Sequence, residues 1–191
     1  MSDLSNFIDE SKIELINGYR VSEKIDSYDS FDNIGIKSDI LRGIYSYGFT
    51  QPSPIQKIAI KPFIDGRDLI IQSHSGTGKT ATFMISILNR IEPELKKTQA
   101  VVVAPTRELA KQIYSVYQSL SNHIDITGYF CIGGSLRNKY NYNEDINQHI
   151  IIGTPGRVSD LIDKNIIKTN NVKMLVIDEA DDVYIISLIY H

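Results

Sequence analysis

The run Ser73-His74-Ser75-Gly76-Thr77-Gly78-Lys79-Thr80 sets small residues and two glycines directly before a lysine and a hydroxyl. It follows the apolar stretch Leu69-Ile70-Ile71 and precedes a helical pattern that runs to Arg90. A strand, a tight loop and a helix in that order form a nest for phosphate. Successive backbone N–H groups converge on the anion, the helix N-terminus adds its positive end, Lys79 reaches the β and γ phosphates, and the Thr80 hydroxyl suits Mg²⁺. The usual pattern begins with Gly, and here that position is Ser73.

Further along, Met174-Leu175-Val176-Ile177 is an apolar strand that delivers Asp178, Glu179 and Asp181 at its carboxyl end. Buried carboxylates are costly unless they meet a cation. One acid on a parallel strand can hold Mg²⁺ while the next polarises an attacking water, so Asp178 and Glu179 complete a phosphoryl-transfer site with Lys79 and Thr80. For the acids alone, a solvated strand end is the better account.

These residues need a scaffold, and the apolar pattern supplies one. Strands are predicted over 68–72, 100–104, 128–132, 149–153 and 173–178. Helical patterns lie between them, over 79–91, 107–121 and 157–164. Two earlier helices are expected, one from Ser38 to a stop at Gly48 and one from Ser53-Pro54 to about Lys61. Short strands alternating with helices, each strand apolar on both faces, predict an α/β fold: a parallel sheet with helices on both faces. Ligands in such folds sit beyond the carboxyl ends of the strands.

The 191 residues suffice for one sizeable domain, and 42% hydrophobic with 23% charged residues excludes a disordered or fibrous chain. No apolar run approaches a membrane span and the first residues lack a basic-then-apolar leader, so a soluble, intracellular protein is expected. Cys131 is the only cysteine and reads as a small core hydrophobe. The net charge is −3, with seven acids against three bases over 1–30. Those thirty residues show no sustained periodicity and are expected to be a mobile acidic extension. A polyanion would therefore be gripped by local geometry rather than by bulk charge.

Taken together, Gly48-Phe49 with Pro52, Ile55 and Gln56, then Ser75 to Thr80, Pro105-Thr106-Arg107-Glu108-Leu109, Gly133-Gly134, Thr154-Pro155-Gly156-Arg157 and Asp178-Glu179-Ala180-Asp181 resemble the motifs of DEAD-box RNA helicases in family order. Stretches around 41–49, 98–100 and 131–134 look most like the initiation factor 4A subfamily, including its exon-junction paralogue. The resemblance covers 31–182 and implies the N-terminal RecA-like, P-loop domain of an ATP-dependent RNA helicase.

That resemblance implies roles residue by residue. Phe49 would stack on adenine, with Phe31 as the isolated upstream aromatic, although Phe49 is equally well read as a core ring after a helix stop. Gln56 would read the adenine edge, and Ser75, Gly76, Thr77, Gly78, Lys79 and Thr80 would hold the phosphates and, through Thr80 and Asp178, Mg²⁺. Glu179 would orient the nucleophilic water, and Asp181 would couple nucleotide state to the rest of the core. Pro105, Thr106, Arg107, Gly133, Gly134, Thr154, Pro155, Gly156 and Arg157 would grip the RNA backbone without reading sequence. Each of those turns taken singly is also explained as a cap, Thr154 with Pro155 above all. The implied cofactors are ATP and Mg²⁺. RNA is the implied partner, an initiation-factor scaffold or exon-junction proteins are further ones, and a monomer in cytoplasm or nucleus, off the membrane, is expected.

His74 replaces the family's usual Gln, His123, His149 and His191 lack metal-ligand spacing, and the 139–143 stretch reads as a solvated loop. The larger departure follows Asp182. The family's Ser-Ala-Thr motif, whose strand lies between the phosphate-loop strand and the Asp178 strand, is missing, and so is the second RecA-like domain with its arginines. The apolar tail over 183–191 does not follow the family. The chain thus reads as an incomplete first half with two unpaired strand edges, expected to hydrolyse ATP hardly at all by itself. A catalytically silent RNA- or scaffold-binding adaptor is the alternative.

Overall fold

The computed structural model describes residues 14–16, 19–21, 25–133 and 145–182. Glu14–Ile16 (β1) and Tyr19–Val21 (β2) pair antiparallel. The expected extension over 1–30 therefore carries regular structure. Its sequence signal is Asn17-Gly18, a dipeptide favoured in two-residue hairpin loops, which a search for longer periodicity passes over. The domain body also starts before residue 31: Ile25 packs on Ile55, Ile58 and Ala59, the Tyr28 N–H donates to the Lys57 carbonyl at 3.1 Å, and Asp29 pairs with Lys57.

Five helices follow the predicted pattern, Ser38–Ser46 (α1), Pro54–Ile64 (α2), Lys79–Arg90 (α3), Arg107–Leu120 (α4) and Pro155–Asp163 (α5). Ala100–Val103 (β3), Gly128–Cys131 (β4), Ile150–Gly153 (β5) and Met174–Ile177 (β6) make one parallel sheet in the order β4-β5-β3-β6. Alternation along the strands divides the core between the two faces. Val102 and Ile152 join Ile60, Met84, Leu88, Ile113 and Leu120 on one side. Val101, Val103 and Ile151 meet Val158, Leu161 and Ile167 on the other.

The stretch 68–72, predicted as a strand, has no regular secondary structure and belongs to no sheet. Ile70 is 91% exposed there, and Leu175 on β6 is 59% exposed. Among the described residues β6 pairs with β3 alone, and a cavity of about 270 Å³ lies between its other edge and 68–72, lined by Leu69, Ile71, Phe83, Leu175, Ile177 and Asp178. A strand needs backbone partners on at least one edge. The stretch 68–72 lacks that partner because the strand expected between it and β6 is not supplied by the described residues.

Candidate functional site

Four of the predicted site loops lie at the carboxyl end of the sheet: Pro105 follows β3, Gly133 follows β4, Thr154 follows β5 and Asp178 follows β6. The phosphate loop arrives at that end through 68–72 and enters α3 at Lys79. Gly76 and Gly78 have φ of +81° and +98°, in the left-handed region that glycine tolerates. Gly78 is doubly required, because a Cβ there would stand 2.7 Å from Gln56 Nε2 and 3.2 Å from Ser53 Oγ.

The start of α2 clamps the loop. Ser53 Oγ donates to the Thr77 carbonyl at 2.8 Å and Gln56 Nε2 to the Gly78 carbonyl at 3.4 Å, while Gln56 Oε1 accepts the Ser53 N–H at 2.9 Å. Gln56 is 2% exposed, so in this conformation both ends of the amide predicted to read adenine are engaged within the protein. Lys79 Nζ donates to the Ser73 carbonyl at 2.6 Å and to the His74 carbonyl at 3.3 Å. Ser75 and Gly76 are exposed at the loop's tip, with Thr77 and Thr80 half-buried.

Phe49 is half-buried, its ring centroid 4.8 Å from that of Tyr47 and 6.4 Å from that of Phe31. Phe31, the isolated upstream aromatic, is fully buried in this conformation and edge-on to Tyr45. Tyr47, exposed beside Phe49, is an aromatic that motif reading passed over. Its signal was its position two residues before Phe49.

Asp178 is 8% exposed and shares the cavity lining with Lys79. Burial, and next the Glu179 charge, push its carboxyl above the usual range, while the Glu179 N–H, donating at 3.2 Å, and Lys79 pull it down. Among the described residues no ion pair is formed by this carboxylate. A buried acid so placed fits a hydrated divalent cation, and Thr80 stands in the first turn of α3 beside the phosphate nest. Glu179 has a φ of +48°, a conformation costing a non-glycine residue about 1–3 kcal/mol and commonest where function demands it. Its carbonyl accepts the Asp182 N–H at 3.0 Å, so Glu179 and Asp181 ride on an exposed turn.

The structure joins three of the loops predicted to hold RNA. The Arg107 guanidinium lies over Gly133, 3.6 Å from where a Cβ would stand, and the Thr154 N–H donates to the Cys131 carbonyl at 3.1 Å. Thr106 Oγ1 accepts the Leu109 N–H at 3.2 Å and so caps α4. Thr154 is the N-cap of α5 with Pro155 in the first turn, as the cap explanation expects; its carbonyl accepts the Val158 N–H at 3.1 Å while its hydroxyl makes no capping bond. Arg157 pairs with Asp160, whose carboxyl is held below its usual range by Lys164 first and by Arg157. Pro105 is half-buried and Gly156 exposed. Gly134, the 139–143 loop and the tail over 183–191 lie outside the described residues.

Other candidates are structural. Cys131 is buried, and burial pushes its thiol up to about 12. His149 is buried with Nδ1 accepting the Thr127 N–H at 2.9 Å, which leaves Nε2–H to donate to the Pro93 carbonyl at 3.0 Å. Among the described residues no group of three or more His, Cys, Asp or Glu side chains can hold a metal ion, and no helix is long and apolar enough to cross a membrane.

The model of the DEAD/DEAH box helicase family matches residues 53–184. The chain is 51% identical over 158 residues to the ATP-dependent RNA helicase eIF4A of Chaetomium globosum, covering 82% of this chain and 40% of that protein. It is 49% identical over 164 residues to the ATP-dependent RNA helicase FAL1 of Mycosarcoma maydis, covering 86% and 41%. Among solved structures, S. cerevisiae Dbp5 bound to RNA and ADP BeF3 superimposes with a TM-score of 0.76 at 39% identity, over 81% of this chain and 39% of that one. A DEAD box protein from the hyperthermophile Methanococcus jannaschii gives 0.77 at 30% identity, over 85% and 45%. The chain spans about two-fifths of the length of the curated relatives it matches.

Proposed function

The chain belongs to the DEAD/DEAH box helicase family, and we propose that it acts as the RecA-like, nucleotide-binding half of an ATP-dependent RNA helicase of the eIF4A type. The observation that carries this reading is the convergence of Lys79 and Asp178 on one cavity, below a loop whose two glycines are left-handed and whose back is clamped by Gln56. Lys79 and the N–H groups at the start of α3 would hold the β and γ phosphates. Phe49 would face the base, with Gln56 acting on it either directly, once its amide is released, or through the loop. Thr80 and Asp178 would hold Mg²⁺, which when bound would neutralise the negative charge that develops on the phosphates. Glu179 would orient the attacking water, and Asp181 would pass the nucleotide state onward.

RNA would lie across Pro105, Thr106, Arg107, Gly133, Gly134, Thr154, Pro155, Gly156 and Arg157, held by backbone amides and by Arg107. Such contacts give affinity without sequence readout. The partners we expect besides RNA are initiation-factor scaffolds or exon-junction proteins, in cytoplasm or nucleus. An arginine finger is worth about 10³–10⁵ in rate, and in this family it comes from a second domain.

Calorimetric titration with MgADP and an ATPase assay with and without RNA test the reading. The 191-residue chain should bind MgADP weakly, Lys79→Ala should abolish that binding without changing the melting temperature, and hydrolysis should stay near background. No binding by the unaltered chain would overturn the nucleotide site, and ready RNA-stimulated hydrolysis would overturn the half-core assignment.

A further inference from the structure

We propose that Ser73 is a positioning residue that latches the phosphate loop shut against nucleotide. The inference rests on the nucleotide-binding reading of the same loop. Ser73 Oγ lies 2.7 Å from Thr77 Oγ1, and Thr77 Oγ1 donates to the His74 carbonyl at 2.9 Å. A hydroxyl has one proton, so the order is fixed: Ser73 donates to Thr77, and Thr77 donates to His74. The far side of Thr77 is pinned as well, since its carbonyl accepts from Ser53 Oγ on α2. The hydroxyl chain thus ties the first residue of the loop, through Thr77, to the start of α2.

This closed arrangement occupies the lysine that phosphate needs. Lys79 Nζ is satisfied by the Ser73 and His74 carbonyls, the very backbone that the hydroxyl chain holds in place. Phosphate entry requires Lys79 to leave them. A conformation that binds ligand only after opening lowers the apparent affinity by the fraction of time it is open. Glycine, the usual residue at this position, has no hydroxyl and cannot make the latch. Ser73 is therefore a brake set by a side chain that never needs to touch the nucleotide.

The test compares the unaltered chain with Ser73→Ala and Ser73→Thr. In calorimetry with MgADP, Ser73→Ala is expected to bind roughly two- to tenfold more tightly, the worth of one neutral hydrogen bond. The gain should appear in the association rate, and Ser73→Thr should restore the original affinity. A purely structural role predicts the opposite, weaker binding and a lower melting temperature, and that result or an unchanged affinity overturns the latch. Hydrogen exchange over 73–79 in the nucleotide-free chain gives an independent reading. It should quicken in Ser73→Ala and return in Ser73→Thr, and unchanged exchange overturns the latch even if no nucleotide binds, an outcome that would separately overturn the nucleotide reading.

Discussion

Ile150–Gly153 and Met174–Ile177 are both four-residue apolar strands that end at site loops, yet the first is wholly buried and the second leaves Leu175 in water. The difference lies in their neighbours. β5 is flanked by β4 and β3, so both its edges are paired and both its faces covered, whereas among the described residues β6 has a partner on one edge only. The loops above them inherit the contrast. Thr154 is tied to the adjacent strand through the Cys131 carbonyl, while the phosphate loop hangs from an unpaired stretch and takes its shape from Ser53 and Gln56 on α2. An apolar pattern makes a strand possible; paired edges make it rigid.

The largest effect is expected in the closed half. Gly153→Ala would set a Cβ 1.9 Å from the Cys131 carbonyl oxygen, a clash with backbone that relaxes only by parting β4 from β5. A loss of about 3 kcal/mol or more in urea denaturation is expected, and a loss below 1 kcal/mol would break the comparison by showing this half to be as yielding as the other. Next comes the clamp. Gln56→Ala strips the Ser53 N–H of its acceptor, which should cost about 1–3 kcal/mol and weaken MgADP binding alongside. Unchanged binding would mean that the phosphate loop holds its shape without α2.

Asp178→Asn should act in the stabilising direction at neutral pH. Because burial raises the folded-state pKa of Asp178 above its ordinary 3.8, the protonated acid contributes stability that is complete below 3.8 and is lost as pH rises through the raised value. The Asn variant lacks that loss. It should be more stable at pH 7 by on the order of 1 kcal/mol, with the gap closing on acidification, and thermal melts across pH check the sign. The smallest effect belongs to the open edge: Leu175→Lys should shift stability by no more than about 0.5 kcal/mol and reduce aggregation. A loss well above that would show that Leu175 is covered in solution.

Much of this was legible locally. The phosphate nest, the helix stop at Gly48 and the strand delivering Asp178 are set by residue types at fixed short spacing, where backbone φ and side-chain period leave few options. Gly78 shows the limit of that reading. Its left-handed φ follows from the loop pattern, but the contact with Gln56 that forbids a side chain there joins residues 22 apart. The burial of Phe31 was not legible either, because its neighbours Tyr45 and Phe49 come from the far end of α1 and just beyond it.

By itself the sequence determined which segments are apolar, where helices begin and stop, and which side chains could meet phosphate, since those depend on neighbours within a turn or two of chain. Only the tertiary structure decided that 68–72 stays out of the sheet, that Arg107 lies over Gly133 and that Lys79 rests on the carbonyls of its own loop. The reason is physical. Strand pairing and hydrogen-bond ownership depend on what stands alongside in space, and a partner distant in sequence, or missing, leaves no mark on the segment it would have covered.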